Sequence, residues 1–356
     1  MEYLLTDSSA LQILRVVQDD QTEQEIENRC DLSKSVIRKR LNTLRELGIV
    51  EETEPYHRIT GLGAMILHTI DQIEPQNRDA IANILSTTHR RSILRALNEQ
   101  PQRKTRLSDG PERPSQSTVR RTLRDSEMEG LVTRNSDGLY ICTSTGTDLL
   151  RRIDALEHQI DLITEHESLL HKFSSECADF PVTALSDVRM VEGSPGQAFA
   201  ERNAYVNFMR QLEVEEIDHI RQFASFFDVE MRDVYWPFVE SGTQVDLVSP
   251  ERIRDQLPTT RAGIQYAQKG LAVENVRWYI YPDTIPVGIV LFDEKWAVVG
   301  IQEPFGAERS SATIFTQNTN IINWALDIYN SCFDDAQPPT QHLLDRFRTL
   351  RERILD

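Results

Sequence analysis

Apolar residues at the start of the chain recur at helical spacing. Leu11, Leu14 and Val17 lie three residues apart, which predicts a helix with one buried face. Thr22 followed three residues later by Glu25 has the form of a capping box, in which each side chain bonds the other residue's backbone N–H. This box predicts that a second, short helix begins at Thr22.

A third helix is predicted directly after these two. Ser33 is a residue type that begins helices, and Gly48 is a residue type that ends them. Apolar residues between them share one side of the helix and polar residues the other: Ile37, Leu41, Leu44 and Leu47 against Lys34, Ser35, Arg38, Lys39 and Asn42. Residues 49–51 and 57–59 then predict two short strands joined by a polar loop.

The same pattern recurs about eighty residues later, which is the mark of an internal repeat. Ile13-Leu14-Arg15 corresponds to Ile93-Leu94-Arg95, and Ile59-Thr60-x-x-Gly63 corresponds to Cys142-Thr143-x-x-Gly146. A further set is matched in the same order between them: Ser33, Ile37, Arg38, Lys39, Leu41, Gly48 and Val50 with Ser115, Val119, Arg120, Arg121, Leu123, Gly130 and Val132. We therefore expect two copies of three helices and a hairpin.

This order of elements, together with the phrase L-R-E-L-G-I-V over residues 44–50, closely resembles the winged helix-turn-helix family over residues 8–70 and again over 85–150. In that family the third helix enters the major groove of DNA, and the hairpin, or wing, contacts the neighbouring backbone. The resemblance implies DNA contacts from both third helices: Ser33, Lys34, Ser35, Arg38, Lys39 and Asn42 in the first copy, and Ser115, Gln116, Ser117, Arg120, Arg121 and Arg124 in the second. It also implies phosphate contacts from His57 and Arg58 in the first wing and from Arg134 and Asn135 in the second.

These residue types suit double-stranded DNA, because Arg can bond guanine at two atoms, Asn and Gln can bond adenine, and Ser and Lys suit phosphates. Exposed basic residues on a helix are also ordinary solvated side chains, and this alternative is stronger for the second copy. Its turn, residues 103–114, is longer and rich in proline, and its third helix also carries Asp125, Glu127 and Glu129. Winged helices also serve as protein-binding modules, so one copy can bind DNA while the other stiffens a dimer.

A long helical pattern follows the second copy. Apolar residues alternate there by four and three, with Glu167 as the one break, which is the spacing of a two-stranded coiled coil: Leu149, Ile153, Leu156, Ile160, Ile163 and Leu170. The C-terminus repeats the pattern with Leu343, Phe347, Leu350 and Ile354. Together they predict a homodimer that binds a roughly palindromic site, the alternative being that each helix packs along the C-terminal domain of its own chain.

The second half of the chain, residues 178–335, alternates strands with helices and predicts an α/β domain. Strands are expected at 217–223, 244–248, 276–281, 287–292 and 296–301, and helices at 229–239, from 251 and at 321–329. All four Trp lie in this half, at 236, 278, 296 and 324, with Phe223, Phe226, Phe227, Tyr235 and Tyr279 around them. These aromatic residues either form the core, which is the stronger expectation, or line a ligand pocket.

This order resembles the effector domain behind the winged helices of archaeal regulators of the TrmB and methanogen filament-regulator type, which is similar to half of a phospholipase D fold. Active enzymes of that fold need His-x-Lys, whereas this chain has His219-Ile220-Arg221, and no other catalytic motif is present. The resemblance therefore implies a non-catalytic domain that senses, dimerises or recruits. A small-molecule effector is a further expected partner, with Arg221, Asp246 and Arg277 as polar contacts at the strand ends.

Charge is divided unevenly along the 356 residues. The net charge is −17, from 39 Lys plus Arg against 56 Asp plus Glu; residues 1–153 contribute 22 − 23 = −1 and residues 154–356 contribute 17 − 33 = −16. Only six of the 39 basic residues are Lys. Such an acidic, lysine-poor composition resembles proteins of salt-loving archaea, and against it the charge-balanced first half is the part suited to DNA.

Several classes of protein are excluded by what the sequence lacks. The four Cys are far apart without metal-ligand spacing, so we expect neither a disulfide framework, a zinc site nor a cofactor. No apolar run approaches the length of a membrane span, so we expect a cytoplasmic protein without a membrane partner.

The expected fold class is mixed α and α/β. The predicted domains are two winged helix-turn-helix units at 1–75 and 80–147, a helical connector at 148–177, the α/β phospholipase-D-like, non-catalytic domain at 178–335, and a C-terminal helix at 338–356. The expected function is a sequence-specific DNA-binding transcriptional regulator that is dimeric, has a C-terminal sensing or dimerisation domain and is not an enzyme.

Two other functions stay open on the sequence. One is an interaction protein that assembles on chromatin or on the transcription machinery through its winged helices. The other is a degenerate hydrolase of the phospholipase D type, which an assay for phosphodiesterase activity would test.

Overall fold

A computed structural model describes residues 2–85, 88–108, 114–192, 200–223, 232–251, 265, 269–270, 272–302, 311–339 and 349. The chain divides into two units, Met1–Glu167 and Ser168–Asp356. Most of the predicted C-terminal helix, including Leu343, Phe347, Leu350 and Ile354, lies outside the described residues, as do Phe226 and Phe227.

The first copy of the repeat has the expected order of helices and strands. Its elements are α1 (Glu2–Thr6), α2 (Ser8–Val16), β1 (Gln21–Thr22), α3 (Glu23–Arg29), α4 (Lys34–Glu46), β2 (Val50–Thr53) and β3 (Tyr56–Ile59). The predicted capping box is present, because Thr22 and Glu25 bond each other's backbone N–H. β3 is the central strand of a small antiparallel sheet in the order β1-β3-β2.

Two further helices lead into the second copy, which repeats the order. The elements are α5 (Gly61–Asp71), α6 (Pro75–Leu85), α7 (Thr88–Glu99), α8 (Lys104–Leu107), α9 (Gln116–Met128), β4 (Val132–Arg134), β5 (Tyr140–Cys142), α10 (Ser144–Glu165) and α11 (Glu167–Leu170). A bridge between Gln102 and Tyr140 stands where the first copy has its β1–β3 pairing.

The two copies are closed by the same junction after the hairpin. In the first copy the Thr60 hydroxyl donates to the Gly48 carbonyl at 2.8 Å and accepts from the Gly63 N–H at 3.0 Å. In the second copy Thr143 makes the corresponding bonds to the Gly130 carbonyl at 2.7 Å and from the Gly146 N–H at 3.1 Å. The repeat inferred from sequence is therefore repeated at the level of single hydrogen bonds.

The apolar stripe that predicted a coiled coil is buried within the first unit of the same chain. Leu149, Ile153 and Leu156 of α10 are buried in the same core as α7 and α9. The coiled-coil interpretation is wrong for these positions, because side chains already covered by their own unit offer no free face to a second copy. The alternative, packing along the C-terminal domain, is also wrong for these positions, because the core that buries them belongs to the first unit.

The second unit is built on a seven-stranded sheet in the order β6-β12-β11-β10-β7-β8-β9. Its strands are β6 (Arg189–Glu192), β7 (His219–Phe223), β8 (Gln244–Pro250), β9 (Val276–Tyr281), β10 (Gly288–Phe292), β11 (Trp296–Gln302) and β12 (Ser311–Thr316). β7, β8 and β9 run parallel to one another, and the other neighbours pair antiparallel. The predicted hairpin of β10 and β11 is present.

Helices cover both faces of this sheet, giving three layers. They are α12 (Ala200–Met209), α13 (Arg232–Ser241) and α14 (Thr319–Asp335). α12 and α13 pack on one face, where Ile220 and Val245 lie in a common core with Phe208 and Phe238. On the other face Tyr329 of α14 stacks on Phe223, with ring centroids 5.2 Å apart.

The aromatic residues of the second unit belong mainly to these cores. Tyr235, Trp278 and Trp324 are buried, and Trp236 and Trp296 are partly buried against the α12–α13 core. The core interpretation is therefore the better one for these aromatic residues. Among the helices of the described ranges, none is both long and apolar enough to cross a membrane.

Candidate functional site

The polar side of α4 faces solvent, as the sequence predicts. Every residue of the expected first-copy set on this helix is exposed: Ser33, Lys34, Ser35, Arg38, Lys39 and Asn42. The opposite side holds Ile37, Leu41 and Leu44 in the core. Ser33 occupies the N-cap position without a capping hydrogen bond from its side chain, and its hydroxyl lies 3.2 Å from that of Ser35.

Carboxylates of α3 hold two of the three cations in this set. Arg38 donates from Nε to Glu23 at 3.0 Å, and Lys34 lies 3.8 Å from Glu27. Both pairs are substantially exposed, so each one stabilises the fold little. Their main effect is on the local charge: because Glu23 and Glu27 offset Arg38 and Lys34, the α4 surface is close to neutral rather than basic.

The first hairpin does not present the expected basic residues. His57 is only 3% exposed, because β1 pairs alongside it at Gln21, so its ring cannot reach a DNA phosphate and the prediction for His57 is wrong. Arg58 donates to Glu51 from Nη2 at 2.5 Å and from Nε at 2.9 Å. With Glu52 and Glu54 also exposed, the hairpin is acidic on balance.

The polar side of α9 is likewise exposed, over the whole expected second-copy set: Ser115, Gln116, Ser117, Arg120, Arg121 and Arg124. Ser115 caps the helix by accepting from the Thr118 N–H at 3.2 Å. Arg124 lies 3.3 Å from the neighbouring Asp125. Within the described ranges no carboxylate lies at ion-pair distance from Arg120 or Arg121.

The second hairpin uses its two predicted phosphate contacts internally. Arg134 lies over the ring of Tyr140 and donates to Glu127 at 3.2 Å. Asn135 accepts from the backbone N–H groups of Asp137 and Leu139, which shapes the turn. Both side chains therefore have a role in the hairpin itself.

Three cations on the turn before α9 were missed by the sequence interpretation. Arg103, Lys104 and Arg106 are exposed on and just before α8, a helix that packs beside α9. The signal in the sequence is three basic residues within four positions. They lie in a long, proline-rich turn, where no DNA-binding helix was expected. They extend the basic surface of α9 onto a second helix.

The three residues expected to contact a small molecule lie side by side on the sheet. In the register of the parallel strands, Arg221 of β7 is opposite Asp246 of β8, and Asp246 is opposite Arg277 of β9. Asp246 is 3% exposed and accepts from Arg277 at 2.6 Å and 2.8 Å. The Nε2 atom of His219 lies 2.7 Å from the same carboxylate.

Asp246 and Arg277 are therefore bound to each other rather than open to a ligand. The hydrogen bond with Asp246 raises the pKa of Arg277 above its usual value. Arg221 instead borders an open depression of about 400 Å³, whose other lining residues are Asp218, His219, Asp293, Glu294 and Lys295. Because its carboxylates outnumber its ammonium and guanidinium groups, this depression is not a cationic pocket.

Two family models match separate parts of the chain. Residues 204–335 match the middle domain of the methanogenesis regulatory protein FilR1. Residues 78–165 match the HVO_A0261 N-terminal domain, a range that runs from α6 to α10. The second half is thus similar to one domain of a regulatory protein, and α10 falls within the same matched range as the second copy of the repeat.

Similar solved structures overlap the chain only loosely, and no curated protein matches it. TrmBL2, an archaeal chromatin protein whose structure shows a novel mode of DNA binding, is 13% identical with a TM-score of 0.31, over 73% of this chain and 99% of that one. NucT from Helicobacter pylori is 9% identical with a TM-score of 0.33, over 43% of this chain and 100% of that one. The phospholipase D family member Nuc from Salmonella typhimurium is 16% identical with a TM-score of 0.31, over 44% and 99%. TM-scores this low do not establish a shared fold.

Proposed function

We propose that the chain is a sequence-specific DNA-binding transcriptional regulator of the archaeal TrmB-like type. The two repeat copies are its winged helix-turn-helix units, with α4 and α9 as their third helices. The second unit is its sensing or dimerisation domain, without catalytic activity. Because the proposed ligand is chromosomal DNA, the regulator acts in the cytoplasm.

One observation carries this proposal. α9 holds Val119 and Leu123 in the core while its opposite side presents Arg120, Arg121 and Arg124 to solvent. An amphipathic helix with unburied guanidinium groups, placed before a short hairpin, suits contact with base edges and phosphates. The FilR1-type domain behind it supports regulation as the purpose of that contact.

A homodimer on a roughly palindromic site is part of the proposal, but α10 does not supply its contact, because the apolar stripe is already buried. A small-molecule effector is proposed at the depression beside Arg221. Such an effector regulates only if it binds one arrangement of the DNA-binding units more tightly than another. The acidic, lysine-poor composition is proposed to suit a cell with high internal salt.

A protein that assembles on chromatin or on the transcription machinery is the second candidate. The acidic hairpin and the ion-paired surface of α4 favour it, since a nearly neutral surface with exposed Tyr56 suits a protein partner better than DNA.

Genome-wide DNA occupancy of the tagged chain in its host separates the two candidates. Host conditions matter because DNA affinity falls by several decades as salt rises a few-fold. A sequence-specific regulator gives sharp peaks that share a motif and are absent from an untagged strain. Diffuse occupancy without a shared motif would instead support the assembly protein.

A further inference from the structure

The two repeat copies carry opposite charge at equivalent positions. Gln21 pairs with His57 in the first copy, and Gln102 pairs with Tyr140 in the second. Each Gln stands directly before the short helix of its copy and binds the second strand of its hairpin. The pairing therefore fixes how α3 and α8 correspond, residue by residue.

Counting forward from these two Gln residues shows that acidic residues of the first copy correspond to basic residues of the second, which we call the charge inversion. Glu23 of α3 corresponds to Lys104 of α8, and Glu25 corresponds to Arg106. The first short helix carries Glu at 23, 25 and 27, whereas the second copy has Lys, Arg and Ser at the corresponding positions. The helix that flanks the third helix is acidic in one copy and basic in the other.

The third helices correspond equally well, because Ser33 and Ser115 are N-caps and Gly48 and Gly130 both adopt positive φ. The interval is fifteen residues in both, from 48 − 33 and from 130 − 115. Arg38 therefore corresponds to Arg120.

Because of the charge inversion, the guanidinium groups of Arg38 and Arg120 have different neighbours on the short helix. Arg38 is paired with Glu23 at 3.0 Å, so a phosphate would have to break an existing ion pair and approach a carboxylate. Arg120 has Lys104 at the position of Glu23, and within the described ranges neither of them has a carboxylate at ion-pair distance. Lys104 and Arg120 stand on helices that pack beside each other, and neither has to leave a carboxylate to bind a polyanion.

We infer that the second copy alone makes the principal DNA contact, through the α8–α9 surface of Arg103, Lys104, Arg120 and Arg121, and that α4 of the first copy does not lie on the DNA backbone. This inference rests on the proposed function. It reverses the expectation from sequence, which favoured the first copy. The occupant is double-stranded DNA, because the surface combines phosphate-binding cations on α8 with guanidinium groups on an exposed helix face.

The test compares matched substitutions in the full-length chain, using fluorescence anisotropy with a labelled random-sequence duplex across a KCl series. Arg120→Ala and Lys104→Glu act on the second copy, and Arg38→Ala and Glu23→Lys act on the equivalent positions of the first. Arg151→Ala is the control, since Arg151 is an exposed α10 residue paired with Asp148. Circular dichroism and thermal unfolding establish that each variant is folded.

We expect Arg120→Ala to weaken binding at least about fivefold and to lower the slope of log affinity against log salt by about 1. Lys104→Glu should lower the slope by about 1 to 2, since it removes one cation and adds an anion. Arg38→Ala should resemble the Arg151→Ala control, and Glu23→Lys should not weaken binding.

Two outcomes overturn the inference and are distinct from failure of the proposed function. If Arg38→Ala weakens binding as much as Arg120→Ala, both copies lie on DNA. If Lys104→Glu leaves affinity and salt slope unchanged, α8 is not part of the interface. If the unsubstituted chain binds no duplex at any salt concentration, the proposed function fails and the inference fails with it.

Discussion

At the scale of single residues, two glycines explain why the Thr-x-x-Gly motif occurs twice. A Cβ atom on Gly63 would lie 2.2 Å from the Ile49 carbonyl oxygen, and one on Gly146 would lie 2.3 Å from the Leu131 carbonyl oxygen. The motif is visible in the sequence, but its cause is not, because the close atom belongs to the residue just before a strand, fourteen positions earlier for Gly63 (63 − 49).

Gly63→Ala should therefore lower the free energy of unfolding by about 2 kcal/mol or more, since the obstructing atom belongs to the backbone and cannot rotate away. Urea denaturation followed by circular dichroism measures this. Gly270→Ala is the control, because a Cβ there meets nothing within 4 Å. Equal stability of the two variants would mean that the junction tolerates a side chain.

The carboxylate of Asp246 gives a second prediction at this scale. Asp246→Asn should lower the free energy of unfolding of the second unit by about 1–3 kcal/mol, because Arg277 and His219 lose their shared charged acceptor. All four Trp lie in this unit, so tryptophan fluorescence during urea denaturation reports on it. Asp327→Asn, an exposed change of the same charge on α14, should have little effect. A loss of the same size at both positions would show that net charge, not the shared contact, is responsible.

The site differs from the sequence predictions mainly where a predicted residue contacts a residue of another helix or strand. Exposure of the polar sides of α4 and α9 follows from helical periodicity alone, and the prediction of exposure is confirmed. The burial of His57 depends on its pairing with β1, and the neutralisation of Arg38 depends on Glu23 of α3. Neither contact is encoded by local spacing.

At the scale of elements, α10 illustrates the limit of periodicity. Spacing by four and three identifies an apolar stripe but not what covers it, and here α7 and α9 lie in the same core as the stripe. Five of the seven strands of the α/β unit were predicted, because each has its own period of apolar residues, whereas β6, β12 and α12 were not predicted. The pairing order of the seven-stranded sheet was not, because it depends on contacts between distant segments.

Ile153→Ala tests the role of this stripe. Ile153 is fully buried, so the change should lower the free energy of unfolding by about 2–4 kcal/mol through lost packing and a residual cavity. Sedimentation velocity should show the same oligomeric state before and after the change. A variant that dissociates while keeping its stability would place the residue at a contact between copies instead.

At the scale of the whole molecule, both units carry a net negative charge, and the second unit carries more of it than the first. The first unit, to residue 167, sums to 22 − 28 = −6, and the second to 17 − 28 = −11. A net negative charge of this size repels itself and weakens the folded state at low salt. The basic surface of α8 and α9 is therefore a local exception within an acidic molecule.

The melting temperature of the chain should rise by several degrees as KCl is increased from low concentration towards about 1 M, where the Debye length falls to about 3 Å. Differential scanning calorimetry at pH 7 measures the change. The same series near pH 5, close to the isoelectric point of about 5.0, should show a much smaller rise because little net charge remains to be screened. An equal rise at both pH values would point to a salt effect unrelated to net charge.

The shared junction at Thr60 and Thr143 has a consequence for protein engineering. The hydrogen bonds of this junction involve neither α3 nor α8, so an exchange of the two short helices removes none of them. If the charge of the short helix decides which copy binds DNA, grafting the α8 sequence into the position of α3, and the reverse, moves the contact from one copy to the other. The second copy thus supplies the sequence with which DNA binding by the first copy can be engineered.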